Sequence, residues 1–337
     1  MAWSWGAGRP CGVARDGSVK VHAFAPSSAT GFTLMAVDAG SNALKYRAWR
    51  VGRSRGEVVE LDAGRVPLRL GEGLTEGSDL GPEMIERCVE AFGRVAERAS
   101  ELGVERVRAV GTNALRSVSN GAQVVEEIRK ASGIGLEIIE AGCEARLVAK
   151  ALQRLDAPPS FPYLVLDVGG GSSEIIRAET RDRVQWGSLP LGAVNLRDPF
   201  FSELPTDQAH LRSARAHIDE MIGRHLADPP RGGCGEGCFG SGGTPTVVQS
   251  MMEDAGEVEG EMRIVELLGL IQQMETMSVE QLAEQFGLPR ERAEIILPGA
   301  LVLERLARHV GAERIRAVHA GVTMGLLQEA MESAGMA

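Results

Sequence analysis

The stretch Tyr163–Ile176, YLVLDVGGGSSEII, constrains this chain more than any other. The apolar run from Tyr163 to Leu166 reads as a buried strand, and Ile175–Ile176 begins another. Between them lie Asp167, three glycines, two serines and Glu174, a tight turn whose ends are acidic. Gly169, Gly170 and Gly171 permit positive φ and let backbone N–H groups come close to an anion, while Ser172 and Ser173 add hydroxyl donors. Asp167 and Glu174 supply the hard oxygens that a magnesium ion bridging phosphate oxygens requires. The alternative is a plain structural hairpin, for which three consecutive glycines are a poor choice because each adds unfolded-state entropy.

A weaker copy lies about 130 residues upstream, near one domain length. Leu34–Val37 is apolar, Asp38, Gly40, Ser41 and Asn42 follow, and Leu44 to Trp49 makes a strand of mixed polarity. Two such units facing each other would close on one anion from both sides. The expected division is a loosely ordered leader over residues 1–33, one domain over 34–157 and a second over 160–332, joined at the Asp156-Ala-Pro-Pro linker. Within the leader, Val19–Phe24 alternates enough for a short strand.

A chain of 337 residues with 44% hydrophobic content can build two cores, and a formal net charge of −10 argues against broad nucleic-acid or acidic-membrane binding. No stretch is apolar for long enough to cross a bilayer, and the first residues lack the pattern of a signal peptide. Five cysteines, an odd number, suit a reduced cytoplasm. Cys234 and Cys238 lack a second pair at ligand spacing and read as a glycine loop rather than half a metal site.

Along the chain, Glu57–Leu61 and Arg65–Leu70 look like further opening strands before the glycine-rich Gly71–Gly77. Pro82 to Leu102 is a helix with Ile85, Cys88, Val89, Phe92, Val95, Ala96 and Ala99 in a 3.6 period, stopped by Gly103. Val107–Val110 is a buried strand running into Thr112, Asn113 and Arg116, where α/β proteins place ligand-binding residues. Arg116 is either a phosphate clamp or a solvated arginine. Ala122–Ala131 is a helix and Gly135–Ile139 a strand. Glu144 opens the next helix, either as a dipole partner or as a base that activates water. Val184–Trp186 and Ser188–Leu196 read as strand and Thr206–Leu226 as helix; His210, His217 and His225 lack the i, i+4 spacing of a helical metal pair. Gly240, Ser241, Gly242, Gly243 and Thr244 form another glycine-hydroxyl turn before a helix at Thr246, an anion site at a helix start. Ser278 with Gln281 fits a capping box, Arg290–Val310 is a helix interrupted at Pro298, and Ile315–Val318 is a last strand.

These motifs, with GTNALR, CEARL, SLPLG and ILPGALVLERL in the same order, resemble the Ppx/GppA family of exopolyphosphatases and guanosine pentaphosphate phosphohydrolases from about Leu34 to Leu327. The resemblance implies an actin-like ATPase (ribonuclease H-like) α/β fold, two similar domains with a phosphate-binding cleft between them. It places the water-activating glutamate on Glu144 and the phosphate-facing arginine on Arg116. Phosphate contacts fall on Ser41, Asn42 and Lys45, on Gly169–Ser172, and on Gly240, Ser241, Gly242 and Thr244. Mg2+ or another divalent cation is expected at Asp167, Glu174 and Asp38. It further implies a homodimer and polyphosphate or guanosine pentaphosphate as ligand; the net charge and hydropathy leave neither nucleic acid nor membrane as an expected partner.

The chain departs from the family at several points. Gly142 and Cys143 replace the acidic neighbours of the glutamate, Ala43, Leu44 and Lys45 stand for serine–phenylalanine–arginine, Asn195 stands for an arginine, and Thr323 falls in an altered terminal motif. Fewer basic residues are then available to neutralise a long polyphosphate. Hydrolysis is the leading expectation; a phosphotransferase of the same fold and a non-catalytic alarmone sensor are the alternatives.

Overall fold

The computed structural model describes residues 4–7, 31–52, 57–75, 77–226, 237–254 and 260–336. The chain opens with β1 (Ser4–Ala7), then an antiparallel run of β2 (Phe32–Ala39), β3 (Ala43–Val51) and β4 (Val58–Pro67). Next come α1 (Pro82–Glu101), β5 (Arg106–Gly111), α2 (Asn113–Ser117), α3 (Gly121–Ser132), β6 (Leu136–Ile138) and α4 (Ala141–Leu152). The second half continues with β7 (Tyr163–Val168), β8 (Ser173–Ala178), β9 (Arg183–Leu189), α5 (Ala193–Phe200), α6 (Gln208–His225), β10 (Cys238–Ser241) and α7 (Gly243–Asp254). It closes with β11 (Met262–Arg263), α8 (Ile264–Met274), α9 (Val279–Gln285), α10 (Arg290–Val310), β12 (Arg314–Ala317) and α11 (Val322–Ser333).

Two compact units result. The first holds β2 to β6 and α1 to α4, together with everything after Gly321; the second holds β1, Gly71–Gly73 and Leu155–Ala320. The first sheet has the order β4-β3-β2-β5-β6, antiparallel through β2 and parallel beyond it. The second runs β1-β9-β8-β7-β10-β12-β11, and its β9-β8-β7-β10-β12 portion has the same order and the same switch from antiparallel to parallel. The repeat seen in the sequence is therefore a repeat of topology, the actin-like α/β arrangement.

In the first unit Met35, Val37 and Ala39 of β2 point into one core with Ile85, Phe92 and Val95 of α1 and Val124 and Ile128 of α3. Leu34 and Ala36 are buried on the opposite face. A strand covered on both faces carries a continuous apolar run, which is why LMAV precedes Asp38. Helix α1 keeps the predicted buried positions, with Pro82 in its first turn and Gly103 at φ 62 just beyond its end. In the second unit Leu164, Leu166 and Val168 of β7 join the apolar faces of α6, α7, α8 and α10 in one core. Ser278 and Gln281 form the expected capping box at α9.

Several expectations are corrected. β4 is one strand, pairing with β3 along its length on both sides of a single register shift at Ala48/Trp49. Ala193–Phe200 is a helix, because Gly192 ends the extended run and the amides that follow find acceptors in the glycine loop. α10 continues through Pro298, whose missing donor costs one bond in a helix buried along most of its length. The final helix belongs to the first unit. There Glu329 meets Arg108 at 2.8 Å, Lys150 reaches Glu332 at 2.7 Å, and Gly325 lies against the backbone of Leu147. Within the expected leader, Ser4–Ala7 pairs antiparallel with Arg183–Trp186; Val19–Phe24, Cys11 and Cys234 lie outside the described residues.

Candidate active site

In the second unit the glycine turn joins β7 to β8, with Gly169 N bonded to Ser172 O at 3.0 Å. The first turn of α5 stands behind it. Ala193 N donates to Gly169 O at 3.0 Å, Val194 N to Gly170 O at 2.8 Å, and the Asn195 side-chain Nδ2 to Gly171 O at 2.8 Å. A Cβ on Gly192 would stand 2.6 Å from Gly169 O, so only glycine allows this approach. Carbonyl and N–H point in opposite directions across a trans peptide. With the carbonyls of Gly169, Gly170 and Gly171 turned toward α5, the N–H groups of Gly170, Gly171 and Ser172 face the other way. Successive backbone N–H groups left on one side of a turn can form an anion-binding concavity.

Asp167 stands opposite Glu174 across the hairpin and beside Ser241 of β10. Glu174 is buried and accepts the Ser188 hydroxyl at 2.9 Å. The second glycine turn reaches this pair through Gly242, at φ 91, where a Cβ would lie 2.6 Å from Asp167 Oδ1. α7 starts directly after it, at Gly243, so its free N–H groups and positive end open beside the two carboxylates.

Two hydroxyls expected among the donors bond elsewhere, and a third lies buried. Ser241 is fully buried and donates to Ala320 O at 2.6 Å, Ser173 donates to Leu191 O at 2.8 Å, and Thr244 is buried against Gly299 of α10. Ser241 and Thr244 thus shape the turn through their packing. Sequence reasoning also missed Arg292. Its guanidinium lies where a Cβ on Gly243 would be 2.6 Å away, which places a cation at the start of α7. No motif pointed to it, because α10 carries many charges and only folding brings this one to the glycine turn.

In the first unit Arg116 and Glu144 come together. Arg116 Nη1 donates to Ile139 O at 2.7 Å and stands 3.5 Å from Glu144 Oε2. Glu144 sits in the first turn of α4 and is only 9% exposed. The N-cap of α4 is Glu140, so the side chain of Glu144 is directed to Arg116 instead of capping its own helix. Arg116 is accordingly an ion-pair partner of the glutamate.

Asp38 ends β2 on the same sheet. Burial pushes its carboxyl above the ordinary range, and Lys45 opposite partly offsets that. Its Oδ1 is shielded from water and accepts no hydrogen bond among the described residues. The turn beyond is closed by Gly40 N to Ala43 O at 3.2 Å, Ser41 is buried, and the carbonyl of Asn42 accepts from Leu68 N and Arg69 N. Among the described residues no three acidic, histidine or cysteine side chains cluster as a metal site. The opposed pair Asp167 and Glu174 does fit magnesium, which takes one or two carboxylates and completes its shell with water and substrate phosphate.

The model of the Ppx/GppA phosphatase family matches residues 56–334, and the chain belongs to that family. It is 27% identical over 304 residues to the guanosine-5'-triphosphate,3'-diphosphate pyrophosphatase of Photobacterium profundum, which covers 88% of this chain and 59% of the relative. The corresponding protein of Aliivibrio fischeri is likewise 27% identical over 300 residues. The chain thus spans less than two thirds of the length of these curated relatives. Among solved structures, the Aquifex aeolicus member of the Ppx/GppA family superposes with a TM-score of 0.73 at 20% identity, covering 89% of this chain and 98% of that one. An exopolyphosphatase from Cytophaga hutchinsonii gives 0.76 at 19% identity, over 90% and 99%. Among the described residues no helix is long and apolar enough to cross a membrane.

Proposed function

We propose that this chain hydrolyses the terminal phosphoanhydride bond of inorganic polyphosphate or guanosine pentaphosphate, releasing orthophosphate. The observation that carries the proposal is the buried Glu144 carboxylate held beside Arg116. Its family membership and the anion-binding amides of the glycine turn support the same reading.

In this mechanism Glu144 orients a water in line with the bond to the leaving oxygen and takes its proton as attack begins. The new bond joins water oxygen to the terminal phosphorus; the bond to the bridging oxygen breaks, and the shortened chain leaves with the electron pair. Arg116 keeps the carboxylate pointed, the role of a positioned guanidinium. The N–H groups of Gly170, Gly171 and Ser172 and the start of α7 with Arg292 stabilise charge on the equatorial oxygens. Asp167 and Glu174 would hold a divalent ion, which would neutralise phosphate charge when bound. Asp38 is proposed as a further acidic group at the metal, and a homodimer as the assembly.

The test is phosphate release from long polyphosphate, tripolyphosphate and guanosine pentaphosphate, with magnesium and with EDTA. Release that requires the metal supports the proposal, and the preferred substrate names the activity. No release from any of them, with binding retained, would favour the sensor.

A further inference from the structure

We infer that Asn120 is a positioning residue for the Arg116–Glu144 pair: its side-chain amide clasps the backbone of Leu80, and the clasp holds in place the one-turn helix α2 that carries Arg116. The inference rests on the phosphohydrolase reading above and adds to it a residue that acts only through another.

A helix as short as α2 does not hold itself. One hydrogen-bonded turn does not repay the backbone entropy it costs, and Thr112 gives α2 no side-chain cap. Arg116 N donates to Thr112 O at 3.0 Å and Ser117 Oγ to Asn113 O at 2.8 Å, both within the turn itself. The other fastenings come from outside. Residues 77–80 run beside residues 117–120, with Gly77 N donating to Ser117 O at 2.8 Å, Ser119 N to Ser78 O at 3.0 Å, and the Ser119 hydroxyl to Asp79. Asn120 closes the row: its Oδ1 accepts from Leu80 N at 2.8 Å and its Nδ2 donates to Leu80 O at 3.0 Å. Leu80, Leu115 and Val118 are buried in the same core, so the clasp ties that core to the exit of α2.

The residue type fits this duty rather than the commoner one. Asn120 is the N-cap of α3, where an asparagine ordinarily accepts from an amide of the first turn, yet its side chain makes no cap bond. Both polar atoms are used on Leu80 instead. An amide carries a donor and an acceptor side by side, and so satisfies the N–H and C=O of one buried residue together. Serine caps a helix as well, but its single short hydroxyl cannot span both groups, and aspartate offers acceptors alone. Gly121 follows so closely that a Cβ there would lie 2.8 Å from Leu115 O, one residue before Arg116. Clasp and close approach therefore fix the backbone from which the Arg116 guanidinium reaches Ile139 O and Glu144. A shift of about 1 Å in that backbone is enough to spoil the aim of the carboxylate.

The experiment measures phosphate release from tripolyphosphate with magnesium in the full chain carrying Asn120→Ser, Arg116→Ala, both together, or Gln123→Ala. Asn120→Ser keeps a good cap for α3 and loses the clasp. It should lower kcat about tenfold and leave KM within about twofold, since the aim of Glu144 suffers and the phosphate amides do not. Gln123→Ala, at an exposed position of α3, should match the parent. On the Arg116→Ala background the Asn120→Ser loss should shrink to about twofold or less, because the residue through which it acts is gone. Losses that multiply in the double variant, or parent-like kcat in Asn120→Ser, overturn the inference. If Asn120→Ser does not fold, Asn120→Asp, which keeps the bond from Leu80 N and loses the one to Leu80 O, runs through the same cycle with the same two outcomes. Amide hydrogen exchange gives a readout independent of turnover: over residues 113–117 it should quicken about tenfold in Asn120→Ser and hold the parent rate in Gln123→Ala. Unchanged exchange in Asn120→Ser also overturns the inference. No release by the unsubstituted chain sinks the hydrolase, and exchange then judges the clasp alone.

Discussion

Arg116 Nη1 is shared between a backbone carbonyl and a carboxylate, bonding Ile139 O at 2.7 Å and standing 3.5 Å from Glu144 Oε2. The carbonyl fixes the guanidinium, and the guanidinium in turn fixes the direction of the glutamate. A lysine carries the charge, but its ammonium on a flexible stem lacks the rigid guanidinium that sets one nitrogen between the two partners. Arg116→Lys is therefore expected to lower kcat/KM for phosphate release by about tenfold or more while melting near the parent temperature. Parent-like kinetics would show that the ion pair has no part in the chemistry.

Gly242 admits no side chain. At φ 91 an L-residue is strained, costing about 1–2 kcal/mol before any contact is counted. A Cβ there would also press to 2.6 Å from Asp167 Oδ1 and 2.9 Å from Val168 O. Gly242→Ala should lower both the melting temperature and the affinity for magnesium, read by the metal concentration giving half-maximal release. A variant that melts lower but keeps the metal dependence would separate the turn from the metal carboxylates.

The Asp38 carboxyl titrates above the ordinary aspartate value because it is buried. A raised pKa means that the folded chain holds this proton more tightly than the unfolded chain. The contribution is complete below the ordinary value of 3.8 and disappears as pH rises through the folded pKa. Asp38→Asn should therefore melt higher than the parent at pH 7, with the difference shrinking on acidification toward pH 4, and should release phosphate more slowly. Equal melting temperatures at pH 7 would contradict the burial argument.

Asn195 holds the glycine turn from behind. Its Oδ1 accepts from Gly192 N at 2.6 Å while its Nδ2 donates to Gly171 O at 2.8 Å. Asn195→Asp keeps the acceptor, loses the donor and sets a negative charge against a carbonyl, so it should raise KM more than Asn195→Ala does. The opposite order would mean that the side chain does not aim the loop amides.

How far the sequence could be read follows from the range of the interactions involved. The hairpin of Asp167 and Glu174, the α1 period and the α9 capping box are local, and each lies where its residues predict. Asn195 read as a lost basic residue and is instead the brace of the glycine turn, a role created by the approach of α5. Ser241 looked like a free hydroxyl until Ala320, brought up after β12, claimed it. Arg292 and the place of the final helix in the first unit were missed for the same reason: their partners are distant in the chain, and no periodicity records such a contact.

The most direct measurement compares the chain with its Glu144→Gln variant, recording phosphate release from tripolyphosphate in magnesium and tripolyphosphate affinity by calorimetry. A base that orients and deprotonates water contributes about a hundredfold or more to the rate. The account predicts at least that loss in kcat with affinity retained. Undiminished release in Glu144→Gln would contradict it.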